Sequence, residues 1–332
     1  VRRIVTPGRL LLAGLALVAV FLALVLIPSD EYIFLPDPAH PVAPLVTVPH
    51  AKQPKTGGIY FVDVVVRKAT LLEKLFGGLH EGATLYPESA VNPPGVNDAQ
   101  LQRIDLQDMA TSQVVAAAVA ERAAGLKVVI HSIGAQIDEV DPGAPAVGKL
   151  QPDDIVTAVD GKPVRQLATL YALMAKHKPG DTVTLTIRRG KQTLLEAIKT
   201  VADPRNKNRA IVGVLPEPAV RIQVPIPVKI DAGGVGGPSA GLAFALEVLQ
   251  LLGHNVVHGH KIAATGTIDV NGNVGPIGGI KQKTIGARRA GVDAFLVPAG
   301  ENAQDARKVA GGLKIIPVKT FQQALHALAT LR

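Results

Sequence analysis

Between Leu10 and Ile27 the chain reads LLLAGLALVAVFLALVLI, a run without a single charged residue. At about 1.5 Å of helical rise per residue it covers about 27 Å, close to the hydrocarbon thickness of a bilayer. Only a segment that satisfies its own backbone can cross lipid, so the run predicts a transmembrane helix over 10–27. Arg2, Arg3 and Arg9 precede the run, and Pro28, Asp30 and Glu31 follow it. That asymmetry predicts a single-pass protein with a cytoplasmic N-terminus and every later domain extracytoplasmic. A cleavable signal peptide shares the basic start, but this run is longer than the usual apolar region and no A-x-A site follows closely. A buried soluble helix fits less well, because the run is apolar on every face.

The sequence has 332 residues, enough for about two domains beyond the span. It has no cysteine, which excludes disulfides, a thiolate nucleophile and cysteine metal ligation. The formal charge is +8, yet the basic residues form no long run and aromatics make up 3%. A nucleic-acid partner is therefore not expected. After the span, LPDPAHPVAPLVTVP predicts a stiff proline-rich spacer over 28–56. GGIYFVDVVV from Gly57 reads as a strand, Gly77 to Gln102 as irregular, and Met109 to Gly125 as a helix. Residues 128–201 alternate short strands, turns and one helix, the pattern of a small β-rich domain. Residues 202–332 mix helices and strands, with an Asn271-Gly272 hairpin turn and a capping box from Thr320 to Gln323.

Chemistry concentrates in GGVGGPSAGLAF, from Gly233 to Phe244. A glycine-rich loop entering a helix can cradle phosphate, but no lysine follows in the manner of a P-loop, and no P-loop occurs elsewhere in the sequence. No nucleotide is expected. Ser239 could cap the helix, or it could be a nucleophile whose oxyanion the helix N-terminus stabilises. A nucleophile needs a base. The cluster His254, His258 and His260 lacks an acidic neighbour in sequence and reads as surface histidines, so no metal site is expected. A desolvated lysine is the other option, because burial depresses its pKa. Lys281 in PIGGIKQK, at the start of a predicted helix, is the candidate, and Lys283 reads as a solvated neighbour.

GGVGGPSAG followed by GPIGGIKQKTIGARRAGVDAFLVP resembles the proteolytic domain of the Lon family. The resemblance implies Ser239 as nucleophile and Lys281 as general base of a Ser-Lys dyad, with Gly237, Pro238 and Thr265 as support for the oxyanion and the amine. Val235 and Gly236 stand where ATP-dependent members carry a lysine and an acid. In that departure, and in lacking a P-loop, the chain resembles membrane-anchored, ATP-free Lon-like proteases. GAQIDEVDPGAPAVGKLQPDDIVTAVDGKPV resembles a PDZ domain, with Asp153 replacing a turn glycine. This second resemblance implies a peptide-binding loop of Ile133, Gly134, Ala135, Gln136 and Ile137 that takes C-terminal tails. The expected fold class is α+β: a transmembrane helix, then a sandwich-like Lon-type domain over 57–127 and 202–332, interrupted by a PDZ domain over 128–201. The expected function is an ATP-independent serine endopeptidase of the bacterial cell membrane, needing no cofactor. Its expected partners are protein or peptide substrates and the lipid bilayer, with a homo-oligomeric ring implied by analogy. The rival is a PDZ-based membrane scaffold with an inert protease-like domain.

Overall fold

The computed structural model describes residues 7–51, 56–92 and 98–331, with only the backbone at residues 7 and 9. Arg2 and Arg3, residues 52–55 of the expected spacer, and 93–97 of the expected irregular segment lie outside the described residues. The chain divides into two compact units: residues up to Lys127 together with those from Val224 onward, and residues 128–223. One unit thus interrupts the other in sequence.

The first unit is mixed α/β rather than simply α+β. Strands Gly58–Phe61, Lys261–Ala264, Ala294–Pro298 and Lys314–Val318 lie in that order, each parallel to the next. Every residue of Ala294–Pro298 is buried, as a parallel strand covered on both faces requires. Helix Gly241–Leu251 is buried along its whole length and packs on helix Asp98–Ala123 and strand Gly58–Phe61. Phe244 of the helix meets Phe61 of the strand at 6.3 Å between ring centroids, with the rings tilted by 39°. Ile280 and Ala287 join Ala263, Phe295, Val297 and Ala306 in another cluster of the core.

The expected spacer is part of this unit. Pro28–Pro36 is the central strand of a three-stranded antiparallel sheet, flanked by Val64–Thr70 and Thr84–Pro87. Tyr32, Ile33, Val42, Val46 and Val48 are buried, so apolar burial outweighs the prolines here. Pro28 and Pro36 stand at the strand ends, where a missing N–H costs least. GGIYFVDVVV likewise forms two strands in two sheets, parted at Val62 and Asp63. The helix read from Met109 begins earlier, at Asp98. Asn271-Gly272 does form the expected turn, between Thr267–Ile268 and Val274–Gly275, with the Asp269 carboxylate accepting from the N–H groups of Asn271 and Asn273 at 2.8 Å each. Thr320 accepts from the Gln323 N–H at 3.1 Å, and the Gln323 side chain accepts from the N–H of Lys319, one residue earlier than a capping box requires.

The apolar run is helical over Pro7–Leu26, and Leu10, Leu11, Leu12, Leu15 and Leu17 are exposed. Among the described residues no helix is long and apolar enough to cross a membrane. Within this helix, continuously described side chains start only at Leu10.

In the second unit, strands Gln192–Lys199, Thr182–Arg189, Ile155–Val159, Val129–Val140 and Val214–Gln223 form one antiparallel sheet in that order. Helix Leu167–Met174 contributes Leu170 to the core with Ile137, Leu185 and Ile187. The compact unit extends past the expected boundary at 201, to Gln223, because Val214–Gln223 pairs along Val129–Val140. Asp154 is fully buried and accepts two hydrogen bonds from Arg189, at 2.8 and 2.7 Å. Asp153 sits at φ 70°, which explains why glycine suits that turn, and its carboxylate accepts from Gln136 at 2.7 Å.

Candidate active site

Ser239 lies in a single 3-10 turn, Pro238–Ala240, that runs directly into helix Gly241–Leu251. It is not a cap, since Ala240 holds the N-cap position and no side chain caps the helix. The turn is gripped from two sides. The Ser239 carbonyl accepts from the Gly266 N–H at 2.8 Å and from Thr265 Oγ1 at 3.1 Å, and the Leu242 N–H donates to Gly266 O at 3.1 Å. Helix Asp98–Ala123 supplies the other side: Gly237 N–H donates to Asp105 O at 2.8 Å, and Ser112 Oγ donates to Pro238 O at 3.1 Å.

Two glycines make that closeness possible. A Cβ at Gly241 would lie 2.7 Å from Ser112 Oγ and 2.9 Å from an Ile268 methyl group. At Gly236 it would lie 2.6 Å from Asp105 Cβ. The acid that the resemblance places at 236 therefore has no room in this chain. Asp105 brings a carboxyl from the neighbouring helix to the same cavity, and burial raises its pKa.

The amine that meets Ser239 belongs to Lys283, which corrects the expectation of Lys281. Lys283 Nζ donates to Ser239 Oγ at 2.6 Å. Lys281 is exposed and reaches Ala83 O at 3.4 Å. The reason is helical phase. In helix Ile280–Arg289, positions 281 and 283 point about 200° apart; burial runs unbroken from Gln282 to Ala287, and Lys283, in line with the buried Ile280 and Ala287, lies on the side that meets Ser239. Burial pushes the Lys283 amine down to about 8, against the opposite charge of Asp63, which favours the ammonium. Asp63 in turn is raised by its own burial and by the Asp37 carboxylate, with His40 acting the other way.

Ser239, Lys283, Asp63 and Asp105 line one cavity of about 580 Å³, whose apolar wall includes Phe34, Phe61, Val64 and Met109. Among the described residues, Asp37, His40 and Asp63 are the group with ligand atoms close enough to hold a cation, within 4.8 Å of one another. His254, His258 and His260 form no such group there.

Three support roles also change. Gly237 gives its N–H to Asp105 and Pro238 has none, so neither offers a free oxyanion donor in this structure. Thr265 is fully buried and holds the backbone of Ser239 rather than the lysine amine. Lys283, Asp63, Asp105 and Ser112 were not foreseen. The apolar stripe through Ile280 and Ala287 is a sequence signal for Lys283, whereas Asp105 and Ser112 reach the site only through helix packing.

The expected peptide loop of the second unit is also displaced. Gly134, Ala135, Gln136 and Ile137 already pair with Val214–Gln223, and Ala135 and Gln136 pair with Ile155–Val159 on the other side as well. Ile133 lies at the irregularity of the first of these ladders. A strand paired on both sides cannot accept another. The cavity of this unit, about 480 Å³, lies between helix Leu167–Met174 and residues 209–216, with Ile137 alone of the five among its lining.

Residues 202–330 match the family model of the Lon protease (S16) C-terminal proteolytic domain, and residues 110–200 match that of a PDZ domain. The Lon protease of Azorhizobium caulinodans is 32% identical over 187 residues, 54% of this chain and 21% of that protein. Lon protease 2 of Bacillus subtilis is 38% identical over 109 residues, 33% of this chain and 18% of that protein. The chain thus spans about a fifth of the length of these curated relatives. The PDZ domain of an SdrC-like protein from Listeria innocua is 26% identical, covering 25% of this chain and 93% of that one, with a TM-score of 0.24. Residues 202–330 thus resemble a Lon-type proteolytic domain, and the structure brings a serine and a lysine of that stretch into contact. With the PDZ match, two separate parts of the chain are similar to known domains, one to a Lon-type proteolytic domain and one to a PDZ domain. Both matched boundaries are shifted by the packing: helix Asp98–Ala123 belongs with Gly241–Leu251, and strand Val214–Gln223 with the PDZ sheet.

Proposed function

We propose that the chain is an ATP-independent serine endopeptidase working through Ser239 and Lys283. The 2.6 Å contact between Oγ and Nζ carries the reading. The neutral Lys283 amine takes the proton of Ser239 as Oγ attacks the scissile carbonyl carbon. The tetrahedral intermediate forms beside the positive end of helix Gly241–Leu251, which favours its oxyanion. As the C–N bond breaks, the Lys283 ammonium gives the proton to the leaving amine. Water, deprotonated by the same amine, then releases the acyl group. The apolar wall of the cavity suits an apolar side chain next to the scissile bond.

Peptide capture falls to the second unit. Strand Val214–Gln223 closes one end of its sheet, and Leu170, Tyr171, Met174 and Leu215 line the adjoining cavity. An extended C-terminal tail can add to that strand and seat an apolar residue in the cavity. Helix Pro7–Leu26 anchors the chain in the bacterial cell membrane, with both units extracytoplasmic. Support comes from the uncharged run Leu10–Ile27 and its exposed leucines. The substrates of such an ATP-independent enzyme are exposed termini, loops and unfolded chains. The test is cleavage of an unfolded protein without ATP. Wild type cleaves, and Ser239→Ala falls to background; cleavage by that variant at the wild-type rate would refute the nucleophile.

A pH profile tests the base. The neutral amine is the active form, so kcat/KM should rise as pH passes through about 8 and level off above it. Asp63 favours the charged form, so Asp63→Asn should move the rising limb to lower pH. A limb that stays in place or moves to higher pH would show that Asp63 does not act on the Lys283 amine.

A further inference from the structure

We propose that the turn following helix Leu71–Leu75 is a lipid-contacting surface, with Leu75, Phe76 and Leu79 seated in the headgroup boundary of the membrane that receives helix Pro7–Leu26. The inference rests on the anchoring reading and adds a second contact to it. These three large apolar side chains fall within five residues and are 65%, 58% and 52% exposed. The turn is tight: Phe76 N–H donates to Leu72 O at 2.9 Å, and Leu79 N–H donates to Phe76 O at 3.1 Å.

The turn is also held rigidly against the domain. Thr70 and Glu73 form a capping box, closed by the Glu73 N–H to Thr70 Oγ1 at 3.2 Å and the Thr70 N–H to Glu73 Oε2 at 2.9 Å. Arg67, before the turn, donates twice to the buried Glu73 carboxylate at 2.6 and 2.9 Å. His80, after the turn, meets the same carboxylate at 2.8 Å. One carboxylate thus pins both ends of the projection and leaves its apolar tip uncovered.

Its position identifies the occupant. Leu71 N–H donates to Ile27 O at 3.0 Å, so the helix begins where the apolar run ends. Lys74 pairs with Asp30 just beyond that exit. Four residues of helical rise place Leu75 about 6 Å from Leu71. The interfacial layer on each side of the hydrocarbon core is about 5–8 Å thick, so a tip fastened at the exit of a spanning helix lies within lipid headgroups. Aromatic and leucine side chains favour that layer.

The chain contains no tryptophan, so single substitutions give an unambiguous reporter. The full chain is reconstituted into phosphatidylcholine and phosphatidylglycerol vesicles, with acyl chains brominated near the headgroup or near the chain end, as Phe76→Trp and separately as Leu17→Trp. The inference predicts that Phe76→Trp shows blue-shifted emission, quenched most by bromine near the headgroup, while Leu17→Trp is quenched by the deeper bromine. Quenching of Leu17→Trp with water-like, unquenched emission from Phe76→Trp would leave the anchor standing and overturn this inference. Absence of quenching in both would overturn the anchor and the inference together.

Discussion

Lys283→Met is expected to lower the rate of peptide cleavage by about 100- to 10,000-fold, the usual worth of a general base, while Lys281→Met leaves it within about twofold of wild type. The two lysines differ by two positions in one helix, and only one faces Ser239. Lys283 is 5% exposed, and its desolvation lowers the pKa of the amine to about 8, where a useful fraction is neutral at physiological pH. Lys281 sits in solvent, so its loss removes at most a weak contact with Ala83 O. Methionine preserves much of the aliphatic volume of lysine, so Lys283→Met should fold and isolate the chemistry from the packing. Equal losses in both variants would contradict the assignment.

Gly236→Asp should also be strongly damaging, although it introduces the acid that the ATP-dependent Lon proteases, which this motif resembles, carry there. The new Cβ would lie 2.6 Å from Asp105 Cβ, far inside contact distance. Relief requires helix Asp98–Ala123 to withdraw, which breaks the hydrogen bond from Gly237 N–H to Asp105 O and loosens Ser112 from Pro238. Overpacking of this kind costs about 1–3 kcal/mol of stability. A displacement of Ser239 by about 1 Å costs about 100-fold in rate. Asp105→Gly in the same chain removes the clashing atom at the expense of about 1 kcal/mol of helix propensity. The double variant should therefore recover much of the lost rate, giving a coupling that two independent sites would not show. Additive losses would mean that the two positions do not meet.

Ser239 is legible in the sequence because its motif is local: glycines, a proline and a serine leading into an apolar helix. The inserted β-rich unit is legible for the same reason, through its turns and short strands. The lysine required one more step, since proximity to GG suggests Lys281 while the stripe of Ile280, Thr284 and Ala287 selects Lys283. Asp63 and Asp105 were beyond the motif. Asp63 becomes part of the site because the chain changes sheets there, and Asp105 because two helices touch where glycines permit it. Prolines misled the reading of 28–56, where Ile33, Val42 and Val46 set the structure through burial. The PDZ loop was misplaced because Val214–Gln223, remote in sequence, occupies the edge that Val129–Val140 would otherwise have offered.

Activation of Ser239 by Lys283 leaves a covalent intermediate that can be trapped. A short activated peptide ester is mixed with the full chain, the reaction is stopped in acid, and the acylated residue is located by mass spectrometry. One acyl group is expected on Ser239 in wild type and in Lys281→Met, and almost none in Lys283→Met or Ser239→Ala. Acylation of Lys283→Met at the wild-type rate, or an acyl group on any residue other than Ser239, would contradict activation of Ser239 by Lys283.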